Sequence, residues 1–557
     1  MRPSVAEVSR QSFDVVVIGG GINGAGIARE AQLAGYRTLL IERDDFGAGT
    51  TSRATRLIHG GLRYLEHGEF GLVYESLHER ETLVRETPHL VHPLRLLVPV
   101  YAGDARPGWK VRAGLVLYDL FSLRKSLPWH KAMPERALAE YEPGLNRDGL
   151  RAAFLMSDAQ VEFPERLVAE AVRDFVDAGG VALNHASVTG MISPGHKLRA
   201  VLVRDELGVA QPAPPADAGP PPVRSSQPPT TYEVQTRVVV NAAGPWVDEV
   251  LAGTDAERHD RLLGGTKGSH LVVEWPGGPT HAIFASAKAD GRPFFILPWY
   301  NYTLVGTTDL RYDGDPSDAR CTPEELAYLL DEATRLFPST PLRHEHVLYT
   351  YSGVRPLPYT PHGEDESTIP RSHFVIDHTK RGGPDGLLSI VGGKLTTYRS
   401  LARITIPAIK KHCQPSSEPL ATRADNHPRT DRSSDLSSSP TTSATVSRAD
   451  PLAMYGSRRR EVEALIAADP ALSQPICEHN PELLAQVAYA VEREQAVTLA
   501  DVLLRRLPVG WSKCHALDGA ERAARVIAPR LAWGEDRILR EIAKYKAEVQ
   551  RVCVPVV

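Results

Sequence analysis

Along this chain, short unbroken apolar runs alternate with stretches whose apolar positions recur every three or four residues. "DVVVI" at Asp14–Ile18, "TLLI" at 38–41, "VVV" at Val238–Val240 and "LLSIV" at Leu387–Val391 predict buried strands. Each is followed by a glycine or small-residue turn or a polar loop, and three of them then enter a helical pattern: "GGGINGAGIARE", "AAGPWVDEVL" and "GGKLTTYRSLA". Strand, tight turn and helix in that order predict an α/β body. Toward the C-terminus "ELLAQVAYAVEREQ" and "LADVLLRRL" carry helix-period apolar positions with no competing alternation, so residues 450–557 read as a helical domain.

Two stretches break the pattern. Residues 208–231 hold eight prolines and no periodicity, which predicts an extended surface loop. Residues 414–449 are rich in Ser, Thr and Pro and read as a disordered linker, too poor in apolar surface to offset the entropy of ordering. No run approaches eighteen uninterrupted apolar residues, and the N-terminus lacks the apolar core of a signal peptide.

The length, 557 residues with 42% hydrophobic, suffices for two or three domains, and the net charge of −4 gives no reason to expect a nucleic-acid partner. Five cysteines stand far apart in sequence without metal-ligand spacing, which predicts free thiols and no metal site.

The chemistry starts at Gly19, Gly21 and Gly24, which fit GxGxxG between a strand and a helix. The first permits a tight turn, the second lets a pyrophosphate approach, and the third lets helix pack on strand. Glu42, closing the second strand, is placed to accept ribose hydroxyls. "TTSR" downstream offers hydroxyl and N–H donors from Thr51 and Ser52 to a second phosphate, and the turns at Ala243–Gly244 and Gly393–Leu395–Thr396 extend the nucleotide site. The last turn opens a helix whose positive end suits an anionic ring system.

Taken in order, "IGGGINGAGIA", "TRLIHGGLRYLEHGEF", "NAAGPWV", "KGSHLVV", "VGTTDLRYDGDP", "YSGVRPL" and "VGGKLTTYR" resemble the bacterial respiratory FAD-dependent glycerol-3-phosphate dehydrogenases over residues 14–402. The resemblance implies FAD as cofactor. It implies a Rossmann-like FAD-binding fold of the glutathione-reductase/D-amino-acid-oxidase type, with an inserted α+β substrate domain and a small all-α C-terminal domain. The expected boundaries are 12–95, 150–262 and 352–413 for the FAD-binding domain. The substrate domain takes 96–149, as a membrane-facing cap, and 263–351. The linker is 414–449 and the helical domain 450–557.

By the same resemblance the stretch from Thr55 to Gly68 runs from the nucleotide toward the flavin and into the substrate cavity. Arg63 and Tyr64 there suit a phosphate, a planar donor fork beside a phenolic hydroxyl. His270, Arg355, Arg371 and Lys394 are expected to converge on the same cavity. Arg355 is assigned to the developing alkoxide, because a guanidinium stays protonated and cannot act as base. The base is His270 or His59, with both left open.

The implied reaction is oxidation of sn-glycerol 3-phosphate to dihydroxyacetone phosphate, with electrons passed to a membrane quinone. The alternative is an oxidase that uses oxygen and releases hydrogen peroxide. The expected location is cytoplasmic, peripheral on the inner face of the membrane, with a homodimer left open. A local reason for an anionic lipid surface is "RPGWKVRAGLVLYDLFSLRKSLPWHK" at Arg106–Lys131. Its apolar run Gly114–Phe121 lies between Lys110, Arg112, Arg124 and Lys125, with Trp109 and Trp129 at the ends.

Overall fold

The computed structural model describes residues 2–123, 125–207, 230–252, 261–360, 369, 371–420 and 450–555. Nearly all of the proline-rich loop, most of the linker, and Arg124 lie outside the described residues.

Strand Ser12–Ile18 is buried from its second residue onward and pairs in parallel with Thr38–Ile41 on one side and Thr231–Asn241 on the other. Burial on both faces explains why these strands read as unbroken apolar runs rather than alternating ones. Val181–Leu183 extends the sheet beyond Thr38–Ile41, and Leu387–Val391 extends it beyond Thr231–Asn241, both in parallel. Helix Ile22–Leu33 covers one face and packs against helices Pro164–Asp177 and Tyr398–Lys410. A Cβ at Gly24 would come within 1.8 Å of the Gly19 carbonyl oxygen, so glycine there sets the helix-to-strand distance.

A second sheet of ten strands is mostly antiparallel. Its spine is Val91–Tyr101 against Leu150–Val161, and its far part pairs Thr266–Val273 with both Tyr302–Gly306 and Val347–Arg355. The expected boundaries at 95/96 and 149/150 are therefore corrected. Residues 91–95 and 150–161 belong to this second sheet, because Val91–Tyr101 and Leu150–Val161 are continuous partners. Val347–Arg355 likewise runs past the expected edge at residue 351.

The C-terminal part carries helices Arg459–Ala468, Leu484–Arg493, Ala520–Leu531 and Glu535–Val552. It is not all-helical: Pro475–Cys477 and Asn480–Leu483 form a small antiparallel hairpin, too short to show a period in sequence. Asp501–Arg506, within the expected helix, is wound as a π-helix. That wider turn accompanies two consecutive arginines directed at one carboxylate. Arg506 holds both oxygens of Asp45 at 2.7 and 2.9 Å, and Arg505 Nε reaches Asp45 Oδ2 at 3.1 Å. Asp45 is fully buried beside the nucleotide turn, so this knot fastens the C-terminal domain to the first sheet.

Helix Gly108–Phe121 forms where the lipid-facing segment was expected, and Trp109 at its start is 74% exposed. Lys125 corrects that expectation. It is buried in an ion pair with Asp119, which also accepts from His130 Nδ1 at 2.6 Å, so Lys125 offers no charge to a lipid headgroup. Asp119, which interrupts the apolar run, is thus an internal acceptor rather than a surface charge.

Replacing Asp45 with Ala takes from Arg506 its carboxylate partner in a buried setting, while Arg505 keeps Asp501 and Glu548. The variant should lose about 3–5 kcal/mol of stability, read as a lower denaturation midpoint against the parent protein.

Candidate active site

A cavity of about 540 Å³ opens at the C-terminal ends of the parallel strands, where open α/β sheets bind ligands. Gly19, Gly21, Glu42, Thr51, Ala243, Gly244, Gly393, Lys394 and Leu395 line it. Gly19 has φ +104 and its Cβ would stand 2.6 Å from the Ala242 carbonyl oxygen, so no side chain fits. Gly21 differs. The nearest atom to its missing Cβ is Thr51 Oγ1 at 3.5 Å, which leaves a cradle open to the cavity at the start of helix Ile22–Leu33.

Glu42 accepts from the Gly20 N–H at 2.6 Å and the Asp44 N–H at 2.8 Å. Burial, reinforced by Asp44, pushes its carboxyl up to about 7. Ser52 and Thr396 do not line the cavity. The Ser52 hydroxyl donates to the Gly47 carbonyl at 2.6 Å, and the Thr396 hydroxyl accepts from His59 N–H at 3.2 Å. Arg53 was not singled out from the sequence. It lines the cavity with a buried Nη1 that has no partner among the described residues, a donor suited to an anionic or carbonyl oxygen. A glycine cradle at a helix start, a carboxylate at a strand end and an unpartnered guanidinium nitrogen together fit a flavin adenine dinucleotide.

From this cavity the chain Thr55–Gly68 leads away in a tight course. Gly60 packs on Leu77 and Tyr118, its N–H donating to the Tyr118 hydroxyl at 2.8 Å, and Gly61 adopts φ +76 beneath the Tyr64 ring. Arg63, Tyr64, Arg355, Arg371 and Lys394, far apart in sequence, are brought together. Lys394 Nζ sits 4.5 Å from the Tyr64 ring centroid and donates to Ser76 Oγ at 2.7 Å. Arg63 Nε is buried without a partner among the described residues.

The organising acceptor is Asp309, a residue within "VGTTDLRYDGDP" to which sequence reasoning gave no role. Its Oδ1 takes Arg355 Nη1 at 3.0 Å and its Oδ2 takes Arg371 Nη2 at 2.7 Å. Burial would raise the Asp309 carboxyl, but Arg355 and Arg371 outweigh it and hold it at about 2. Burial also brings the Lys394 ammonium down to about 7, against the pull of Glu75 and Glu69. One carboxylate thus holds two guanidiniums side by side, and the cluster keeps a net positive charge for an anion.

His270 is buried and His59 half-buried, and both are shifted away from the protonated form. Burial carries His59 down to about 4 despite Asp158, and carries His270 well below the ordinary range, with Arg355 adding to the effect. His270 Nε2 lies 3.0 Å from Thr55 Oγ1, its ring stacks on Tyr351 at 4.7 Å, and its Nδ1 has no partner among the described residues. The His59 ring meets Phe295 edge-on at 6.2 Å. His67, on the far side of the turn, takes no part in the cluster.

Comparison with known proteins bears on the family and the fold. Residues 14–399 match the family model described as FAD dependent oxidoreductase, and residues 430–538 match the C-terminal domain of alpha-glycerophosphate oxidase. A glycerol-3-phosphate dehydrogenase of Synechocystis sp. is 36% identical over 99% of this chain and 98% of its own. A D-erythritol 1-phosphate dehydrogenase of Brucella abortus is 36% identical over 70% of this chain and 72% of its own. Among solved structures, a glycerol-3-phosphate dehydrogenase from Bacillus halodurans complexed with FAD superposes with a TM-score of 0.73 at 27% identity, covering 99% of this chain and 97% of that one.

Gly21→Ala separates folding from cofactor binding. The protein itself has room for the methyl group, whereas a pyrophosphate in the cradle does not. The variant should fold with parental circular dichroism while its flavin-to-protein absorbance ratio drops at least about tenfold. Full flavin content would place the pyrophosphate elsewhere.

Proposed function

We propose that this chain, which belongs to the family of FAD-dependent glycerol-3-phosphate dehydrogenases and uses FAD, passes the electrons it takes from sn-glycerol 3-phosphate to a membrane quinone. The observation that carries the substrate assignment is the cluster of Arg63, Arg355, Arg371 and Lys394 around Tyr64. Three guanidiniums and the Lys394 amine, with one internal carboxylate, match a phosphate dianion, and the unpartnered Arg63 Nε is a buried donor that such an anion would satisfy.

FAD supplies the two-electron acceptor for the hydrogen on C2. The protein's part is orientation and the proton. Arg63, Arg371 and Lys394 hold the phosphate, which fixes the distance from it to C2. Arg355, anchored by Asp309 and by Thr307 Oγ1 at 3.2 Å, presents its guanidinium to the C2 oxygen as negative charge develops there. His270 is the better base of the two. When Nε2–H donates to Thr55 Oγ1, the lone pair on Nδ1 stays unclaimed in a buried, neutral ring and can take the hydroxyl proton. His59, half-buried beside Phe295, then serves as a wall of the site.

Quinone as acceptor rests on the surface. Phe70 and Tyr74 pack edge-on against Phe121, and with Trp109, Leu120 and Leu123 they leave an exposed apolar face across two neighbouring helices, Phe70–Glu86 and Gly108–Phe121. An apolar face of this kind on two helices suits the interfacial layer of a bilayer. No described helix is long and apolar enough to cross a membrane.

Arg371→Ala should raise KM for glycerol 3-phosphate about 10- to 150-fold, the loss of a charge-assisted contact of about 1.5–3 kcal/mol. Flavin content should not change.

His270→Asn should slow anaerobic flavin reduction by about 10²–10⁴-fold with substrate still bound, and His59→Asn should cost far less. Since both histidines are shifted away from the protonated form, the parental reduction rate at saturating substrate should stay level as pH falls through about 6.5, where an ordinary histidine would gain its proton. A drop centred there would mean a base of ordinary pKa.

Replacing Trp109 and Leu123 together by Ser should abolish binding to anionic vesicles and lower quinone reduction in them, with dye-coupled turnover intact. Hydrogen peroxide released in step with substrate consumption would make oxygen the acceptor.

A further inference from the structure

Cys477 and Cys514, 37 residues apart and expected to be isolated thiols, meet in the C-terminal domain with their sulfurs 4.0 Å apart. Cys477 ends the first strand of the small hairpin, and Cys514 lies on the loop 512–519 that presses against it. The contact is close enough that a Cβ at Gly519 would stand 2.3 Å from the Ile476 carbonyl oxygen. Two further ligand-bearing side chains complete the group. His479 sits at the hairpin turn and Asp518 at the end of the loop, with Nδ1 and Oδ2 3.4 Å apart, and the four ligand atoms all lie within 4.8 Å of one another.

The sulfur–sulfur and nitrogen–oxygen spacings match two opposite edges of a tetrahedron around a zinc-sized cation. With zinc–sulfur bonds of about 2.3 Å and zinc–nitrogen or zinc–oxygen bonds of about 2.0–2.1 Å, the edges are about 3.8 Å between sulfurs and about 3.3 Å between nitrogen and oxygen. The surroundings suit thiolates. Asn480 Nδ2 lies 3.2 Å from each sulfur, and Ser512 Oγ lies 3.3 Å from Cys514 Sγ. Donors aimed at sulfur are the outer-shell contacts that orient and tune a metal thiolate. The backbone after Cys514 is held in an unfavourable form to make the loop, with His515 at φ +49 and Ala516 at φ +50, neither of them glycine.

A second group, Asp45, His185 and Asp501, also gathers ligand atoms, but Arg505 and Arg506 already occupy its carboxylates.

We propose that Cys477, His479, Cys514 and Asp518 bind one zinc(II) ion, which clips the loop 512–519 to the hairpin. The two sulfurs form the inner half of the site, and the exposed His479 and Asp518 close it from the solvent side. The same loop follows Trp511, whose ring meets Tyr351 edge-on at 5.7 Å, and Tyr351 stacks on His270. The ion is therefore structural and remote from the reacting atoms, but it steadies the element that backs the proposed base.

The test uses the full-length, flavin-loaded protein expressed with zinc in the medium. Elemental analysis should find about one zinc per flavin. Cobalt(II) exchanged into the site should give the intense visible bands of a tetrahedral thiolate complex, at wavelengths longer than the flavin absorbs. His479→Ala and Asp518→Ala, both at exposed positions, should each weaken zinc retention against a chelator at least about tenfold with circular dichroism unchanged. Cys514→Ser should remove the ion. Zinc below about a tenth of the flavin, retention unmoved by both exposed variants, or an unreduced mass short by about 2 Da from a Cys477–Cys514 disulfide would each overturn the site.

Discussion

One buried guanidinium ties the parts of this molecule together. Arg56 is fully enclosed, adopts φ +63, and pairs with the equally enclosed Glu165 at 3.3 Å on helix Pro164–Asp177. Its flat face lies 4.5 Å from the ring of Trp299 in the second sheet and 4.9 Å from that of Trp511 in the C-terminal domain. A charge without water is tolerable only where a counter-charge, hydrogen bonds and aromatic faces surround it. Here those groups come from three different parts of the chain, so the three can pack only in the one arrangement that satisfies Arg56. The residue before it, Thr55, holds His270, and the residues after it lead to Arg63 and Tyr64. The position of the cationic cluster is thus set from a buried point outside it.

The site itself faces the opposite problem, too many like charges in a small space. Arg355 and Arg371 repel one another, and Arg63 is added to both. Asp309 resolves the conflict by giving one oxygen to each of two arginines, which leaves the remaining cationic capacity to an incoming anion. A neutral acceptor at that position could hold the geometry but not the charge balance. An acid with both oxygens engaged by arginines and its carboxyl held near 2 is ionised around neutral pH, so the arrangement does not depend on a titration there.

Legibility in sequence followed locality. The first strand, the glycine turn and its helix could be read because everything that determines them lies within thirty residues, and the parallel pairing of Ser12–Ile18 with Thr38–Ile41 follows. The substrate cations were legible as residue types within distinctive stretches, but Asp309 was not singled out, because its role exists only when Arg355 and Arg371 arrive from other strands. Lys125 misled for the same reason: flanking charge looks alike on a lipid face and in a buried pair with Asp119. The cysteines are free, as read from their spacing, but the nearness of two of them was hidden. A 37-residue gap reads as isolation until a three-residue strand and a strained loop bring Cys477 and Cys514 together. The domain boundaries slipped where Val91–Tyr101 and Leu150–Val161, separated by a helical excursion, turned out to be partners in one sheet.

Among the described residues the C-terminal domain contributes no group to the cationic cluster, yet of its many contacts with the rest of the chain two have different consequences. Arg505 and Arg506 reach Asp45, which follows the second strand of the nucleotide sheet, and Trp511 reaches Tyr351 behind His270. One contact bears on the cofactor end and the other on the proposed base. Both arise from one continuous segment, Asp501–Trp511, whose π-helical winding and following short turn set the spacing between the arginines and the tryptophan. A rigid segment spanning those two contacts constrains how far the first and second sheets can move relative to each other, since any opening would have to break a buried ion pair or an aromatic contact. Hydride transfer depends steeply on the distance between donor and acceptor. The C-terminal domain, whose Arg551, Val552 and Val554 also line the nucleotide cavity, can therefore act on the reaction by holding the two halves of the site in register.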